Sequence, residues 1–272
     1  MPETVNVISR DTLWGQHTIS GTEFKLWDFG PLRLWCKQNA NEVWIGYQHG
    51  DFREPHETDE LSPPEALSWS RWAFNRAVEK LRFVPIFPDK SVVVKPEHPF
   101  RIVQKAEARI YVRVPIWVRI EPWRKRDVGI VEVPTLVLSK TWFGTFKAGE
   151  LCYWISSDAR RDITPDYARP FLAICPVQII NSADMELFVE KLALRVRRFS
   201  IFNLKGQLWS DEVTVSYRGK ENVSQISLSG KAPPEAEEGE LVGPPRDLDK
   251  KGFAAKTFTS LRDLPGFDLL TR

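Results

Sequence analysis

The sequence predicts an all-β protein: a β-sandwich with a smaller N-terminal β-meander and a partly flexible C-terminal tail. Three observations lead to this fold class. Branched aliphatic residues alternate with arginines and aromatics over Ala108–Ile120 (ARIYVRVPIWVRI), the period-two pattern of a strand with one buried face. Turn residues separate short apolar runs along most of the 272-residue chain. Amphipathic helical segments do not recur between those runs, which disfavours an α/β arrangement.

In chain order, the sequence divides into three predicted segments. Residues 1–60 are expected to form the β-meander, with a hairpin over residues 31–48 that turns at the asparagine-containing stretch Gln38–Asn41. Residues 61–230 are expected to form the sandwich. Residues 231–272 are predicted as an acidic linker and a short terminal helix, because 231–251 is rich in Pro, Gly and Glu while 253–270 regains apolar residues at roughly helical spacing.

Two further segments have distinctive patterns. Glu65–Lys80 (EALSWSRWAFNRAVEK) follows a proline pair, which suits a helix start, although its apolar residues fit a helical face only loosely. The pattern predicts a helix, with an extended connector as the alternative. Phe171–Ile180 is a short apolar run, which is typical of a fully buried strand.

The composition is that of a globular protein in a reducing compartment. A hydrophobic fraction of 42% and a charged fraction of 27% are ordinary for such a chain. No apolar run approaches the roughly 18 residues that a membrane helix needs, and the first residues lack the pattern of a secretory signal. Three cysteines without CxxC spacing argue against a disulfide framework. We therefore expect a cytoplasmic location.

Charge is segregated along the chain despite a net charge of only +2. Arg101–Ile130 contains eight basic and three acidic residues, whereas Ala232–Asp249 contains six acids and one arginine. These segments can be solvated faces that keep the protein soluble. The alternative hypothesis is that an acidic segment lies over the basic strand face and competes with an anionic partner.

Motifs of the common catalytic sites do not occur. Four scattered histidines form no HExxH pair, and the phosphate-loop, dinucleotide-binding and nucleophile-elbow patterns are missing. The sequence therefore predicts no metal, no cofactor and no catalytic residue. It leans away from an enzyme without ruling one out.

Two regions carry the candidate ligand-binding residues. The outward face of Ala108–Ile120 holds an arginine ladder whose forked donors suit phosphates or carboxylates. Ser139–Arg161 (SKTWFGTFKAGELCYWISSDARR) combines aromatic residues with glycines and basic ends, which suits a small anionic or aromatic ligand. The candidates from both regions are Arg109, Arg113, Arg119, Lys140, Trp142, Tyr153, Arg160 and Arg161.

These features favour a non-catalytic cytoplasmic binding or regulatory module that meets an anionic ligand, a membrane surface or a protein partner. One alternative is an enzyme or sugar-binding protein with an aromatic pocket around residues 139–161. A second alternative is binding to single-stranded nucleic acid, because Trp117, Arg119 and Trp123–Arg126 interleave aromatic and basic side chains.

Five strings also carry a family resemblance: GPLRLW (Gly30–Trp35), ARIYVRVPIWVRI, LSKTWFG (Leu138–Gly144), GELCYW (Gly149–Trp154) and the pair Arg160-Arg161. Together they resemble a family of uncharacterised archaeal and bacterial proteins. Some members of that family are encoded beside small-conductance mechanosensitive channels. The resemblance covers most of residues 10–230 and implies an association with a membrane channel, but it assigns no catalytic residue.

Overall fold

The computed structural model describes residues 5–9, 12–19, 21, 23–50, 61–123, 129–147, 149–157, 159–163, 169–219, 224–248, 253–255 and 257–259. The basic residues Arg124–Arg126 of the nucleic-acid hypothesis lie outside these ranges, as do residues 260–272 of the predicted terminal helix.

Within the described residues the regular structure is β-strand with short 3-10 turns. The first strands are β1 (Val5–Val7), β2 (Gly15–Thr18), β3 (Phe24–Asp28), β4 (Leu32–Asn39), β5 (Glu42–His49), β6 (Trp69–Ala73), β7 (Lys80–Ile86), β8 (Val92–Pro96) and β9 (Phe100–Ile102). The middle strands are β10 (Glu107–Pro115), β11 (Trp117–Pro122), β12 (Val131–Pro134), β13 (Lys140–Gly144), β14 (Gly149–Ser157), β15 (Leu172–Asn181) and β16 (Leu187–Val189). The last are β17 (Lys191–Leu194), β18 (Ile201–Leu204), β19 (Gln207–Ser210), β20 (Val213–Tyr217), β21 (Ser224–Leu228), β22 (Glu240–Gly243), β23 (Phe253–Ala255) and β24 (Phe258–Thr259). The 3-10 turns are Val196–Arg198 and Pro234–Ala236.

The strands assemble into four main sheets, which confirms the all-β fold class. The N-terminal sheet has the order β1-β3-β4-β5-β6, and a second sheet has the order β12-β11-β7-β2. The largest sheet runs β22-β18-β19-β15-β20-β21-β23, with β10 also paired to β15. The fourth runs β13-β14-β8-β17-β24, and β9 pairs with β16 in a small ribbon.

The largest sheet and the fourth sheet pack face to face around one hydrophobic core. Alternate residues of β10 and β15, such as Val112 and Val177, meet alternate residues of β8 and β14, such as Val94 and Ile155. This arrangement is the predicted β-sandwich. A second core joins the N-terminal sheet to the β12-β11-β7-β2 sheet, where Trp27 stacks on Phe83 at 4.2 Å between ring centroids. The division of the chain into three segments stays a prediction.

The stretch Ala108–Ile120 forms two strands rather than one. All six of its aliphatic residues are buried, as the alternation predicts. The chain leaves the largest sheet after Pro115 and enters the second sheet at Trp117, so Val114 and Val118 belong to different cores. Proline has no N–H to continue the ladder, and Ile116 between the strands bonds instead to Phe171 and Thr135. The stretch therefore connects the two cores.

The predicted helix over Glu65–Lys80 is wrong. Residues 69–73 form β6, which pairs with β5 at the edge of the N-terminal sheet. Trp69 stacks on Phe24 at 5.2 Å, and the Arg71 guanidinium bonds to the Glu42 carboxylate. These cross-strand contacts outweigh the helix-compatible composition, because propensity is a weak preference beside tertiary packing. The hairpin over residues 31–48 is confirmed by the pairing of β4 with β5.

The C-terminal segment also differs from the expectation. Residues 253–255 and 258–259 form strands that pair with β21 and β17, so the predicted terminal helix is wrong over those residues. Residues 231–248, predicted as a linker, contain a 3-10 turn with buried Ala236 and the strand β22, which pairs with β18. We call residues 231–248 the strap.

Candidate functional site

A cavity of about 410 Å³ lies beside the outward face of β10. Its lining comes from the outer end of β14, the following turn, the β12–β13 connection and the start of β15. Three arginines, Arg113, Arg160 and Arg169, share this cavity with the carboxylates Glu97 and Asp162. The remaining lining is mostly apolar and includes Leu136, Leu138, Trp154, Ile155, Ile163 and Leu172.

Strand pairing explains how distant residues reach the cavity. Arg113 lies on β10 opposite Ile174 of β15, with its side chain on the face opposite the buried Val112 and Val114. Trp154 lies on β14, whose parallel pairing with β8 also brings Glu97 near, because the Glu97 N–H bonds to the Ser157 carbonyl at 3.0 Å.

A tight turn after β14 places Arg160. Ala159 has a φ of 45°, the left-handed region that costs energy for a residue with a Cβ, and its N–H bonds to the Ser157 hydroxyl oxygen. After this turn, the Arg160 carbonyl accepts a 2.8 Å hydrogen bond from the Tyr111 N–H. The backbone of Arg160 is thereby held against β10, two residues from Arg113.

The cavity has the composition of a site for an organic anion. The Arg160 and Arg169 side chains are exposed and the Arg113 side chain is half-buried, so the donors range from the rim into the wall. Guanidinium groups offer paired donors to carboxylate or phosphate oxygens. Trp154, the leucines and the isoleucines of the lining provide an apolar surface for the rest of such a ligand, as small-molecule sites commonly do.

Arg109 lies two residues before Tyr111, a residue that lines the cavity. Its guanidinium is bound by carboxylates of the protein. Its guanidinium bonds to Glu212 and, through two contacts of 3.1 and 3.0 Å, to Glu235 of the strap. The Tyr111 hydroxyl donates to the same Glu235 carboxylate. One acid of the strap, Glu235, therefore lies over the basic strand face. Competition of the acidic segment with an anionic partner stays a prediction.

The pKa shifts in this network follow from these contacts. Burial alone would lower the pKa of Arg109, but bonds to Tyr111 and Glu212 and the charge of Glu235 raise it above its ordinary value. Burial raises the pKa of Tyr111, and the hydrogen bond to Glu235 raises it further. Both groups therefore keep their protons at neutral pH, and Arg109 stays a cation bound to two anions.

Arg119 is held in a second internal network on β11. Its Nε donates to Glu132 of β12 at 2.9 Å, and Arg246 of the strap contacts the same carboxylate at 2.7 Å. Burial opposes ionisation of Glu132, but the two arginines lower its pKa below the usual value. Arg246 also lies over the Trp117 ring at 5.4 Å. Arg119 is therefore held by Glu132 of β12, and Trp117 lies against Arg246 of the strap.

The structure separates the aromatic candidates of Ser139–Arg161. Tyr153 is buried in the sandwich, where its hydroxyl donates to Asp89 at 2.8 Å, and burial together with that bond raises the pKa of Tyr153 to about 12. Trp142 is 54% exposed on β13. Lys140 and Arg161 are exposed and lie outside the cavity lining. Among the described residues, Trp142, Tyr153 and Arg160 do not meet in one pocket.

The cavity thus contains two of the predicted residues, Arg113 and Arg160, together with others that the sequence did not single out. Strand alternation is a signal that could have found Trp154: its neighbour Tyr153 faces the core, so Trp154 must face the other way. No local signal indicates Glu97 or Arg169, because Glu97 reaches the cavity through its bond to Ser157 at the end of β14 and Arg169 through the connection before β15.

Two of the cysteines are buried thiols of low reactivity. Burial raises the pKa of the thiols of Cys152 and Cys175 to about 12, so both are neutral at physiological pH. Within the described ranges, no three His, Cys, Asp or Glu side chains converge in a cluster that could hold a metal ion. No helix of the described residues is long and apolar enough to span a bilayer.

One family model matches residues 13–262 of the chain, and its description is a protein of unknown function (DUF432). The matched range includes both cores, the strap and every residue that lines the cavity. No curated protein and no solved structure is similar enough to match.

Proposed function

We propose that this chain, which belongs to the DUF432 family of proteins of unknown function, is a non-catalytic binding or regulatory module that takes up a small organic anion. One observation carries the proposal: Arg113, Arg160 and Arg169 line one cavity with Trp154 and a set of aliphatic residues. Cationic donors beside an apolar wall match a ligand with one anionic group and an apolar or aromatic body.

The volume and composition of the cavity narrow the ligand class. A cavity of about 410 Å³ lies within the range of small-molecule sites. The carboxylates of Glu97 and Asp162 in the lining would repel a ligand with several negative charges. They would suit a hydroxyl or amino group on the ligand, since carboxylates accept hydrogen bonds. A singly or doubly charged aromatic or aliphatic acid fits better than a polyanion such as nucleic acid.

Two arginines of the ladder, Arg109 and Arg119, lie outside the cavity lining. Arg109 and Arg119 are bound by Glu212, Glu235 and Glu132, so a ligand at either position would have to displace a carboxylate of the protein. Breaking such a half-buried pair costs stability, because it leaves a charge without its partner. Arg113 is the member of the ladder that lines the cavity.

The location and biological context are part of the proposal. The cysteine usage favours a cytoplasmic location, and the resemblance described above favours a prokaryotic protein that acts beside a membrane channel. A ligand-dependent contact with such a channel would make the cavity a sensor. Co-purification of a tagged chain with a channel from native membranes, compared with and without added ligand, tests this context.

A thermal-shift experiment with three related probes tests the ligand class. Phenyl phosphate carries both a charge and an apolar ring, inorganic phosphate lacks the ring, and phenol lacks the charge. We expect phenyl phosphate to raise the melting temperature most. Arg160→Gln should weaken its binding roughly tenfold or more, the usual effect of losing a charge-assisted hydrogen bond.

Arg161→Gln is the matched control, because Arg161 is the exposed neighbour of Arg160 and lies outside the cavity lining. It should leave binding unchanged. Equal weakening by Arg160→Gln and Arg161→Gln would contradict the proposal and indicate general attraction to a basic surface. A panel of carboxylate and phosphate probes without any binding would also contradict it.

A further inference from the structure

The hairpin of β13 and β14 presents an apolar tip to solvent. Phe146 in the turn is 89% exposed, and the cross-strand neighbours Trp142 and Leu151 are 54% and 44% exposed. Trp142 and Leu151 share a face of the hairpin, since directly paired residues of an antiparallel ladder point to the same side. Exposed apolar residues are normal singly, but three clustered at one tip indicate an interaction site.

The orientation of Trp142 is set by the hairpin itself. Its indole N–H donates to the Thr145 carbonyl at 3.1 Å. The ring lies so close to Gly149 that a Cβ on that glycine would lie 2.3 Å from the indole nitrogen. The ring is therefore held over the turn in the free protein, and binding through it would cost little side-chain entropy.

The charges around the tip are mainly positive. Lys147 is exposed in the turn, and Lys140 is exposed at the start of β13 on the same face as Trp142. From Ser139 to Leu151 the single acid is Glu150, and its carboxylate is bound by Arg195 at 2.6 Å. The described surface of this hairpin therefore combines an apolar ridge with two cations that no neighbouring acid of the hairpin offsets.

We propose that the tip of the β13–β14 hairpin binds the surface of an anionic lipid membrane. Phe146 and Leu151 would enter the boundary of the acyl chains, and Trp142 would lie at the headgroup level, where indole rings are favoured. Lys140 and Lys147 would meet lipid phosphates, as basic residues beside an inserted apolar face do. This inference does not depend on the ligand proposed for the cavity.

The geometry favours a lipid surface over a protein groove. The most exposed apolar residue of the tip lies in the turn, and β13 lies at the edge of its sheet. Backbone groups at a sheet edge need water or headgroups as partners, so the hairpin suits shallow insertion at the interface rather than the dry acyl core. The two lysines give the tip charge complementarity to anionic lipid.

Co-sedimentation of the full chain with vesicles tests this proposal. We expect binding to phosphatidylcholine vesicles that contain phosphatidylglycerol, and little binding to phosphatidylcholine alone. Phe146→Ser should weaken binding roughly tenfold, which corresponds to loss of one inserted apolar side chain. Lys140→Gln with Lys147→Gln should weaken it roughly 30-fold and reduce its dependence on salt.

Val103→Ser is the matched control, because Val103 is 64% exposed outside the hairpin. It should bind vesicles as the wild-type chain does. The urea midpoint of each variant should equal that of the wild type, since Phe146 has almost no packing contacts to lose. Equal binding by Phe146→Ser and wild type, or no binding to either vesicle type, would overturn the proposal. A Phe146-dependent change in sedimentation mass without lipid would indicate self-association instead and would also overturn it.

Discussion

The contact between the strap and β10 gives the most quantitative prediction. The guanidinium of Arg109 meets the carboxylate of Glu235 through two hydrogen bonds of 3.1 and 3.0 Å, with side chains that are 29% and 23% exposed. Hydrogen bonds between charged groups contribute about 1.5–3 kcal/mol when well shielded, and partial exposure lowers that figure. We therefore expect a coupling free energy of about 1–2 kcal/mol between the two side chains.

A double-mutant cycle measures this coupling. Urea unfolding of the wild type, Arg109→Ala, Glu235→Ala and the double variant gives the four free energies of unfolding, and the cycle removes the separate effect of Glu212 on Arg109. The pair Arg101–Glu186 is the control, because its side chains are 57% and 55% exposed. Its coupling should stay below about 0.5 kcal/mol. Equal couplings in the two cycles would refute the inference that the strap is held by this contact.

Two further predictions follow from the same structure. Glu132→Gln should destabilise the protein by about 1–2 kcal/mol at neutral pH, because Glu132 is paired with Arg246. The pKa of Glu132 is lowered in the folded protein, so this stability is present above its ordinary pKa of about 4.3 and is lost as the pH falls further. The difference between the urea midpoints of the wild type and the variant should therefore shrink in acid. A difference that grows in acid would contradict the assignment. Gly243→Ala should destabilise the protein by about 1–3 kcal/mol, because the added Cβ would lie 2.1 Å from the Pro85 carbonyl oxygen. Gly129→Ala is the control: its Cβ would make only ordinary contacts, the nearest at 3.7 Å, so its urea midpoint should stay near that of the wild type.

The core was the most predictable part of the molecule. Alternation along Ala108–Ile120 identified six side chains that are buried, because alternate residues of a strand point to the same face of the sheet. It could not show that Val114 and Val118 enter different cores, since that depends on which strands pair on each side of Ile116. The helix prediction for Glu65–Lys80 was wrong for a related reason. Residues 69–73 form a strand because they pair with β5, which lies more than twenty residues earlier in the chain.

The site was predictable in part. Arg113 and Arg160 were singled out by their residue type and setting, and both line the cavity. Tyr153 was chosen for its chemistry, but its position in the alternation of β14 directs it into the core. Arg169 reaches the cavity through the connection that precedes β15, a placement that no spacing in the sequence indicates. Charge segregation raised the hypothesis that an acidic segment faces the arginine ladder, and of residues 232–249 Glu235 contacts Arg109.

The location of a bound probe tests the central claim most directly. A crystal structure of the chain with phenyl phosphate should show phosphate oxygens within hydrogen-bond distance of Arg113 or Arg160 and the phenyl ring against Trp154. Phosphate bound at another surface while the cavity stays filled only by water would contradict the account. So would a ring that lies against Trp142 with no contact to either arginine.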